Sequence, residues 1–522
     1  MSWFKLKNLK KIRVIVSLVF FVPFSLLFID PWHIIPASVS NFFVSLQLIP
    51  ALTKVLVFTG LTTLGLVFVV GLTIAFGRVY CSTICPLGTF QDFIIHFEKK
   101  IHKKKRFEYK KPPFLFHYSV LIIVGVFAIA GSMVLLNLLE PFSNFGRILT
   151  NLIEPIVIQM NNLLVHVLGT FHVYSIYNIP LRVVEIVTML FPLIFLAVVS
   201  HMAFWHGRLF CNSLCPAGAL LGLVSRFAIF KIVIDKIACN DCGACEKVCK
   251  ANCIESETKK IDFAACIGCF NCIKSCPTDG IAFGKVVFEK SINLQTNADT
   301  SRRKFFKNMF APVAAVLIPE IVKKDTTNRT GYYESRKYPV SPPGSKSIKH
   351  FTNLCTACHL CVSACPTQVL YPSFLEYGAS GIFQPRMNYE ASYCNYDCVV
   401  CSQVCPSGAI LPVETDAKKL IQIGKAVFVK EDCVVVDKKK DCSACSEHCP
   451  TKAVYTVPYE GKLKIPELNN DLCVGCGACE HACPTIPRKA IYVTTNSVHL
   501  QAKKPEVKKQ EKVFDSKEEF PF

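Results

Sequence analysis

Cysteine spacing is where this chain can do chemistry. Of its 522 residues 29 are cysteine, and most fall in repeated C-x2-C-x2-C-x3-C blocks. Four blocks are clean: Cys239-Cys242-Cys245-Cys249, Cys266-Cys269-Cys272-Cys276, Cys355-Cys358-Cys361-Cys365 and Cys473-Cys476-Cys479-Cys483. Two are looser: Cys394-Cys398-Cys401-Cys405 and Cys433-Cys442-Cys445-Cys449. Three thiolates at this spacing wrap one cubane, while the fourth reaches across to a second cluster. The blocks therefore predict about six [4Fe–4S] clusters. Proline follows the fourth cysteine at Pro277, Pro366, Pro406, Pro450 and Pro484 and redirects the chain there. Gly243, Gly268, Gly475 and Gly477 let backbone approach an inorganic core. A secreted disulfide scaffold is usually short, and structural zinc is usually held by two separated cysteine pairs. Neither describes this chain, which reads as a wire for electrons.

Crosswise ligation assigns the fourth ligands. Between the first two blocks it predicts Cys239, Cys242, Cys245 and Cys276 on one cluster, and Cys266, Cys269, Cys272 and Cys249 on the other. Lys250 stands where proline is expected, and an extra Cys253 follows as an alternative to Cys249 or as a free thiol. In the later region the two clean outer blocks are expected to exchange. That gives Cys355, Cys358, Cys361 with Cys483, and Cys473, Cys476, Cys479 with Cys365. The inner blocks then give Cys394, Cys398, Cys401 with Cys449, and Cys433, Cys442, Cys445 with Cys405.

Elements must hold these loops in place. Mean hydropathy is +0.37, high for a soluble enzyme, and the apolar excess lies in the first 205 residues. Val14–Ile29, Val55–Phe76, Phe114–Leu139 and Ile186–Trp205 read as four membrane spans. Basic residues cluster before the first span and in the 99–111 stretch, whereas Glu140–Leu181 carries only Arg147. By the positive-inside rule the N-terminus and the segment after Trp205 are cytoplasmic. The net charge of +20 is in part this topology signal. No aromatic–basic interleaving points to nucleic acid.

Each pair of spans ends in the same motif, Gly77-Arg78-Val79-Tyr80-Cys81-Ser82-Thr83-Ile84-Cys85-Pro86 and Gly207-Arg208-Leu209-Phe210-Cys211-Asn212-Ser213-Leu214-Cys215-Pro216. The expected fold is thus an α-helical four-helix membrane domain of two parallel repeats, joined to α+β ferredoxin-like [4Fe–4S] domains. Cys81, Cys85, Cys211 and Cys215 are either one redox or metal site between the repeats or four inert buried thiols.

The expected domains are 1–225 (membrane), 226–290 (two clusters), 291–350 (linker), 351–495 (four clusters) and a disordered charged tail, 496–522. Strands are expected at Phe230–Ile234, Ile281–Phe288, Ala426–Val429 and Ala490–Thr494. Within the linker, Arg302-Arg303 followed by Phe305-Phe306 and an apolar run reads as an internal twin-arginine export signal over 301–322. If so, 351–495 is periplasmic.

On these motifs residues 1–290 resemble NapH, the membrane ferredoxin-type subunit associated with periplasmic nitrate reductase. MauN and NosR proteins share elements of that pattern. Residues 300–495 resemble NapG, an exported four-cluster ferredoxin with twin arginines, Pro342-Pro343-Gly344 and four cysteine blocks. The resemblance implies a fusion of the two in a bacterial inner membrane. It would take electrons from the (mena)quinol pool and pass them to a periplasmic cytochrome or reductase such as nitrate reductase. His166, His172, Glu140 and Glu154 are candidates for the quinol base. The competing class is a redox-driven factor that assembles or reactivates a partner metalloenzyme. No G-x-G-x-x-G and no C-x-x-C-H occurs, so neither NAD(P)H nor covalent c-type haem is implied.

Overall fold

The computed structural model describes residues 8–55, 64–101, 114–182, 186–235, 237–285 and 339–504. The twin-arginine segment 301–322 and the tail from 505 lie outside the described residues.

Largely apolar stretches build a helical body. It comprises α1 (Leu9–Phe28), α2 (Ala37–Ser45), α3 (Leu48–Val55), α4 (Leu64–Phe76), α5 (Tyr80–Thr83) and α6 (Pro86–Ile101). After residue 113 come α7 (Phe114–Ile129), α8 (Val134–Leu139), α9 (Pro141–Ile148), a π turn over Leu149–Ile153, α10 (Glu154–Thr170), α11 (Ile186–His206), α12 (Leu209–Ser213) and α13 (Pro216–Ser225). Among the described residues, Leu9–Phe28, Pro141–Thr170 and Ile186–His206 are long and apolar enough to cross a membrane. Leu64–Phe76 and Phe114–Ile129 are shorter apolar helices.

The helices depart from the expected spans in two places. The run Phe114–Leu139 breaks at Gly131, whose φ of +84° lies in the left-handed region glycine tolerates. Glu140–Leu181, read as a loop, is helical from Pro141 to Thr170. The Glu140 carboxylate caps that helix, accepting from the backbone N–H of Phe142 (3.0 Å) and of Ser143, and Pro141 occupies the first turn. Of the span expected at Val55–Phe76, residues 56–63 lie outside the described set.

Both C-x3-C-P segments fold alike. A long helix ends at a glycine of positive φ (Gly77 +76°, Gly207 +67°), a short helix carries the first cysteine, and proline opens the next helix.

Two cysteine-rich modules pack on this body. In the first, β1 (Phe230–Ile234) pairs antiparallel with β4 (Ile281–Lys285), and β2 (Ile254–Glu255) with β3 (Lys260–Ile261). In the second, β5 (Leu370–Pro372) pairs with β6 (Pro385–Met387), β7 (Ile421–Phe428) with β10 (Ile491–Gln501), and β8 (Val454–Pro458) with β9 (Lys464–Leu468). This module starts earlier than expected. Val340 and Ser341 are buried; the Val340 carbonyl accepts from Met387 N–H (3.0 Å), and the Ser341 hydroxyl meets His499 Nε2 (2.9 Å). Residues 339–350 thus pack with this module, and β10 runs on to Gln501.

The modules dock near opposite ends of α1. Near its start Arg13 meets Asp92, and Asp92 in turn holds Lys250 of the first module (3.0 Å). Near its end the Leu27 carbonyl accepts from Ser363 of the second module (3.2 Å). At 1.5 Å per residue these contacts are about 20 Å apart along the axis. The second module is held further by Arg182 Nη2 donating to the Val362 carbonyl (2.9 Å) and by Phe383 against Phe191 (4.8 Å). Arg147 lies over both of those rings, and Gly146 lies so close to the Cys358 carbonyl that a Cβ there would clash.

Candidate iron–sulfur centres

All 29 cysteines are free thiols. In the first module Cys239, Cys242, Cys245 and Cys276 line one cavity. Cys249, Cys266, Cys269 and Cys272 form a second group with mutually interacting charges. Cys253 belongs to that group as well. Its sulfur lies 3.5 Å from Cys249 Sγ, and it also hydrogen-bonds Cys266. Hydrogen bonds from the Cys253 side chain and backbone pull Cys249 below its ordinary thiol value, while Cys253 is pushed up, and Cys249 keeps the regular block spacing. A Cys253→Ser variant is therefore expected to keep its full iron, and Cys249→Ser to lose up to one cluster, about four iron atoms per chain. Equal iron content in the two variants would refute that division of roles.

In the second module the fourth cysteine found beside each trio is not the one expected from crosswise exchange of the outer and inner blocks. Cys355, Cys358 and Cys361 meet Cys405 rather than Cys483. Cys394 and Cys401, with Cys398 close by, meet Cys365 rather than Cys449. Cys473, Cys476 and Cys479 meet Cys449 rather than Cys365. Cys433, Cys442, Cys445 and Cys483 line a single cavity, so Cys483 takes the place expected for Cys405. The reason lies in strand pairing. β7 precedes the Cys433 block and β10 follows the Cys473 block, so their pairing closes those two blocks on each other. The blocks from Cys355 and Cys394 are left to close together around β5 and β6. The two halves then touch where Cys394 N–H donates to the Cys476 carbonyl (2.9 Å).

The donor chemistry fits [4Fe–4S] clusters. Burial pushes Cys394 up to about 11 and Cys445 up to about 12. Such thiols ionise when a metal cation supplies the opposing charge. Backbone N–H groups already point at sulfur, from Ala357 to Cys355 (3.4 Å) and from Ile410 to Cys405 (3.4 Å), a contact that tunes cluster potential. Among the described residues no group of three or more His, Cys, Asp or Glu is arranged to grip a single metal ion, the ferredoxin quartets included.

Residues that sequence spacing did not single out tie these centres to the body. Lys250, the departure from proline, is buried and ion-paired with Asp92, which also binds Arg208 (2.9 Å). Lys in place of proline is the one local signal that pointed there.

The four proposed quinol bases do not converge. Glu140 is occupied in capping, Glu154 is ion-paired with Arg182 (3.5 Å), and His166 and His172 are exposed. A different site is present. A cavity of 290 Å³ lies between the end of α1 and the cysteine loops, lined by Leu27, Asp30, His33, Ile35, Leu360 and Val404 among others. His33 adopts the left-handed conformation (φ 53°), uncommon outside glycine. His33 is exposed on one side, and partial desolvation lowers its pKa more than neighbouring Asp30 raises it.

Two segments, 58–104 and 187–234, match the model of a 4Fe-4S binding domain, and two more, 354–409 and 440–486, match a 4Fe-4S dicluster domain. The first dicluster match holds both of the blocks that exchange ligands there. Over 176 residues the chain is 30% identical to the ferredoxin-type protein NapF of Escherichia coli K12, covering 33% of this chain and 98% of that protein. Over 195 residues it is 32% identical to the methylamine utilization ferredoxin-type protein MauM of Methylophilus methylotrophus, covering 36% of this chain and 83% of that protein. A 67-residue stretch is 40% identical to the putative electron transport protein YccM of E. coli K12, covering 13% and 19% respectively. No solved structure matches. With its cysteine loops gathered together and NapF covered almost end to end, the chain belongs to the ferredoxin-type iron–sulfur proteins, the electron-transfer family that includes NapF and MauM.

Proposed function

We propose that the chain is a membrane electron-transfer protein with quinol dehydrogenase activity that delivers electrons to a reductase outside the cytoplasm, in the manner of a NapH–NapG fusion. The observation that carries this reading is the cavity at Asp30 and His33, whose far wall is built from residues adjacent in sequence to the cysteines of two blocks. Leu27, Ile35 and Val404 offer that wall to a ring. His33, at the rim of this cavity, is the acceptor for a hydroxyl proton. The Asp30 carboxylate, which accepts from Ile35 N–H (2.8 Å), shapes the turn that presents His33. Oxidising one quinol releases two protons and two electrons. Leu360, Ser363 and Ala364 separate the cavity from Cys361 and Cys365, while Val400 and Val404 adjoin Cys401 and Cys405. The clusters these quartets would hold supply one-electron redox chemistry.

In this reading the 230–285 module faces the cytoplasm, and the 339–504 module lies outside, exported by the segment 301–322. The names of the relatives, ferredoxin-type and electron transport, support electron transfer; the acceptor is assigned by the resemblance alone. The test is anaerobic reduction of the purified full chain with a menaquinol analogue and, separately, with dithionite. His33→Ala is expected to slow the quinol-driven rate by about a hundredfold and to leave the dithionite-reduced EPR spectrum intact. An unchanged quinol rate removes His33 from the site. Signals with dithionite alone in the unmodified chain would favour a low-potential donor and the assembly-factor reading.

A further inference from the structure

We propose that Cys81, Cys85, Cys211 and Cys215 together hold an additional iron–sulfur cluster inside the helical body. Each 4Fe-4S binding-domain match contains one C-x3-C-P pair and so offers half of a ligand set. The fold completes it. All four side chains are 5–6% exposed, and Cys215 interacts electrostatically with Cys211, Cys85 and Cys81.

The surroundings are made for anionic sulfur. Arg78 reaches across to the Cys211 carbonyl (2.9 Å), and Arg208 makes the reciprocal bond to the Cys81 carbonyl (3.1 Å). Both arginines are almost completely buried. Arg78 donates to Asn212 Oδ1 (2.9 Å) as well as to backbone carbonyls, no carboxylate pairs with it among the described residues, and its Nε has no hydrogen-bond partner there. A buried cation is stable only with a compensating anion. Cys211 Sγ also lies 3.5 Å from Gln91 Nε2 and 3.8 Å from Arg208 Nη1, and Cys215 Sγ accepts from Gly218 N–H (3.3 Å). Inert core thiols behave as small apolar groups and need none of these donors.

Glycine is required twice for the same purpose. A Cβ at Gly88 would run into the Cys81 carbonyl and Arg208, and one at Gly218 into the Cys211 carbonyl and Arg78. The two crossed arginines thus fit only with the helices pressed together.

The site lies between the two modules. On one side Arg78 Nη1 donates to the Ala264 carbonyl (2.7 Å), and Asn212 Nδ2 donates to that of Ala251 (3.1 Å), both beside first-module cysteines. On the other side Tyr80, next to Cys81, is within electrostatic reach of Glu140, and Glu140 of Cys358.

Full-length chain, purified anaerobically and enriched in iron-57, tests this by iron analysis and Mössbauer spectroscopy. Cys81→Ser/Cys211→Ser is expected to lose the iron of one cluster, about two to four atoms per chain, while the dithionite-reduced signals of the ferredoxin clusters persist. Unchanged iron and spectra in that variant overturn the proposal. Should the variant not fold, anomalous scattering at the iron edge on the unmodified chain decides the matter. An iron peak among the four sulfurs supports the proposal; zinc there, or no metal, overturns it.

Discussion

Asp92→Ala is expected to destabilise the helical body by about 3–5 kcal/mol, the usual cost of removing one partner from a buried ion pair. Asp92 is the single anion that joins Arg13 (2.6 Å), Arg208 (2.9 Å) and Lys250 (3.0 Å). These three cations come from α1, from the second C-x3-C-P segment and from the first ferredoxin module. Without the carboxylate they repel one another in a site that water hardly reaches. The measurement is thermal unfolding of the detergent-solubilised chain, with first-module cluster absorbance followed in parallel. A loss below about 1 kcal/mol, the scale of a surface pair, would show that the three cations find other partners.

The pH dependence has a definite sign. Burial alone would raise Asp92, but Arg208, Lys250 and Arg13 overcome it and hold the carboxyl well below its ordinary 3.8. A carboxylate depressed in the folded state contributes stability fully above its unfolded value and loses it as pH falls toward the folded one. The stability gap between wild type and Asp92→Asn should therefore be constant above about pH 5 and shrink below about pH 4. A gap that grows on acidification contradicts the assignment.

Cys405→Ser and Cys483→Ser are expected to damage different centres. Cys405 completes the quartet of Cys355, Cys358 and Cys361, which lies against Gly146 and Arg147 of the body. Cys483 completes the quartet of Cys433, Cys442 and Cys445. Each variant should lose up to one cluster, about four iron atoms. Cys405→Ser should also abolish most quinol-driven reduction, because its quartet adjoins the cavity at His33. In Cys483→Ser the quinol-driven reduction of the other centres should survive. Iron content and EPR with the two reductants separate the cases. The reverse pattern would restore the exchange between the outer blocks.

Several features were readable from particular residues. The strands at Phe230–Ile234 and Ala426–Phe428 announced themselves as short β-rich runs beside cysteine loops. The matching motifs from Gly77 and Gly207 announced two segments of one shape. Glu140 and Glu154 misled: a buried carboxylate near the end of an apolar run looks like a proton acceptor, but one caps a helix and the other pairs with Arg182. Asp30 and His33 carry no local signal for the cavity they line, since a cavity shared with a module more than 300 residues away leaves no mark in local sequence.

The sequence by itself determined the cofactor class and the grouping of the cysteines into closely spaced trios. A cubane takes three of its ligands from one tight loop, so their spacing is written in a few consecutive residues. It also determined which helices are apolar. Only the tertiary structure decided which distant cysteine completes each quartet, that the two C-x3-C-P pairs face one another under crossed arginines, and that Lys250 belongs to Asp92. Those outcomes depend on which strands pair and which buried charges must be neutralised, and both are settled by contacts between residues far apart in the chain.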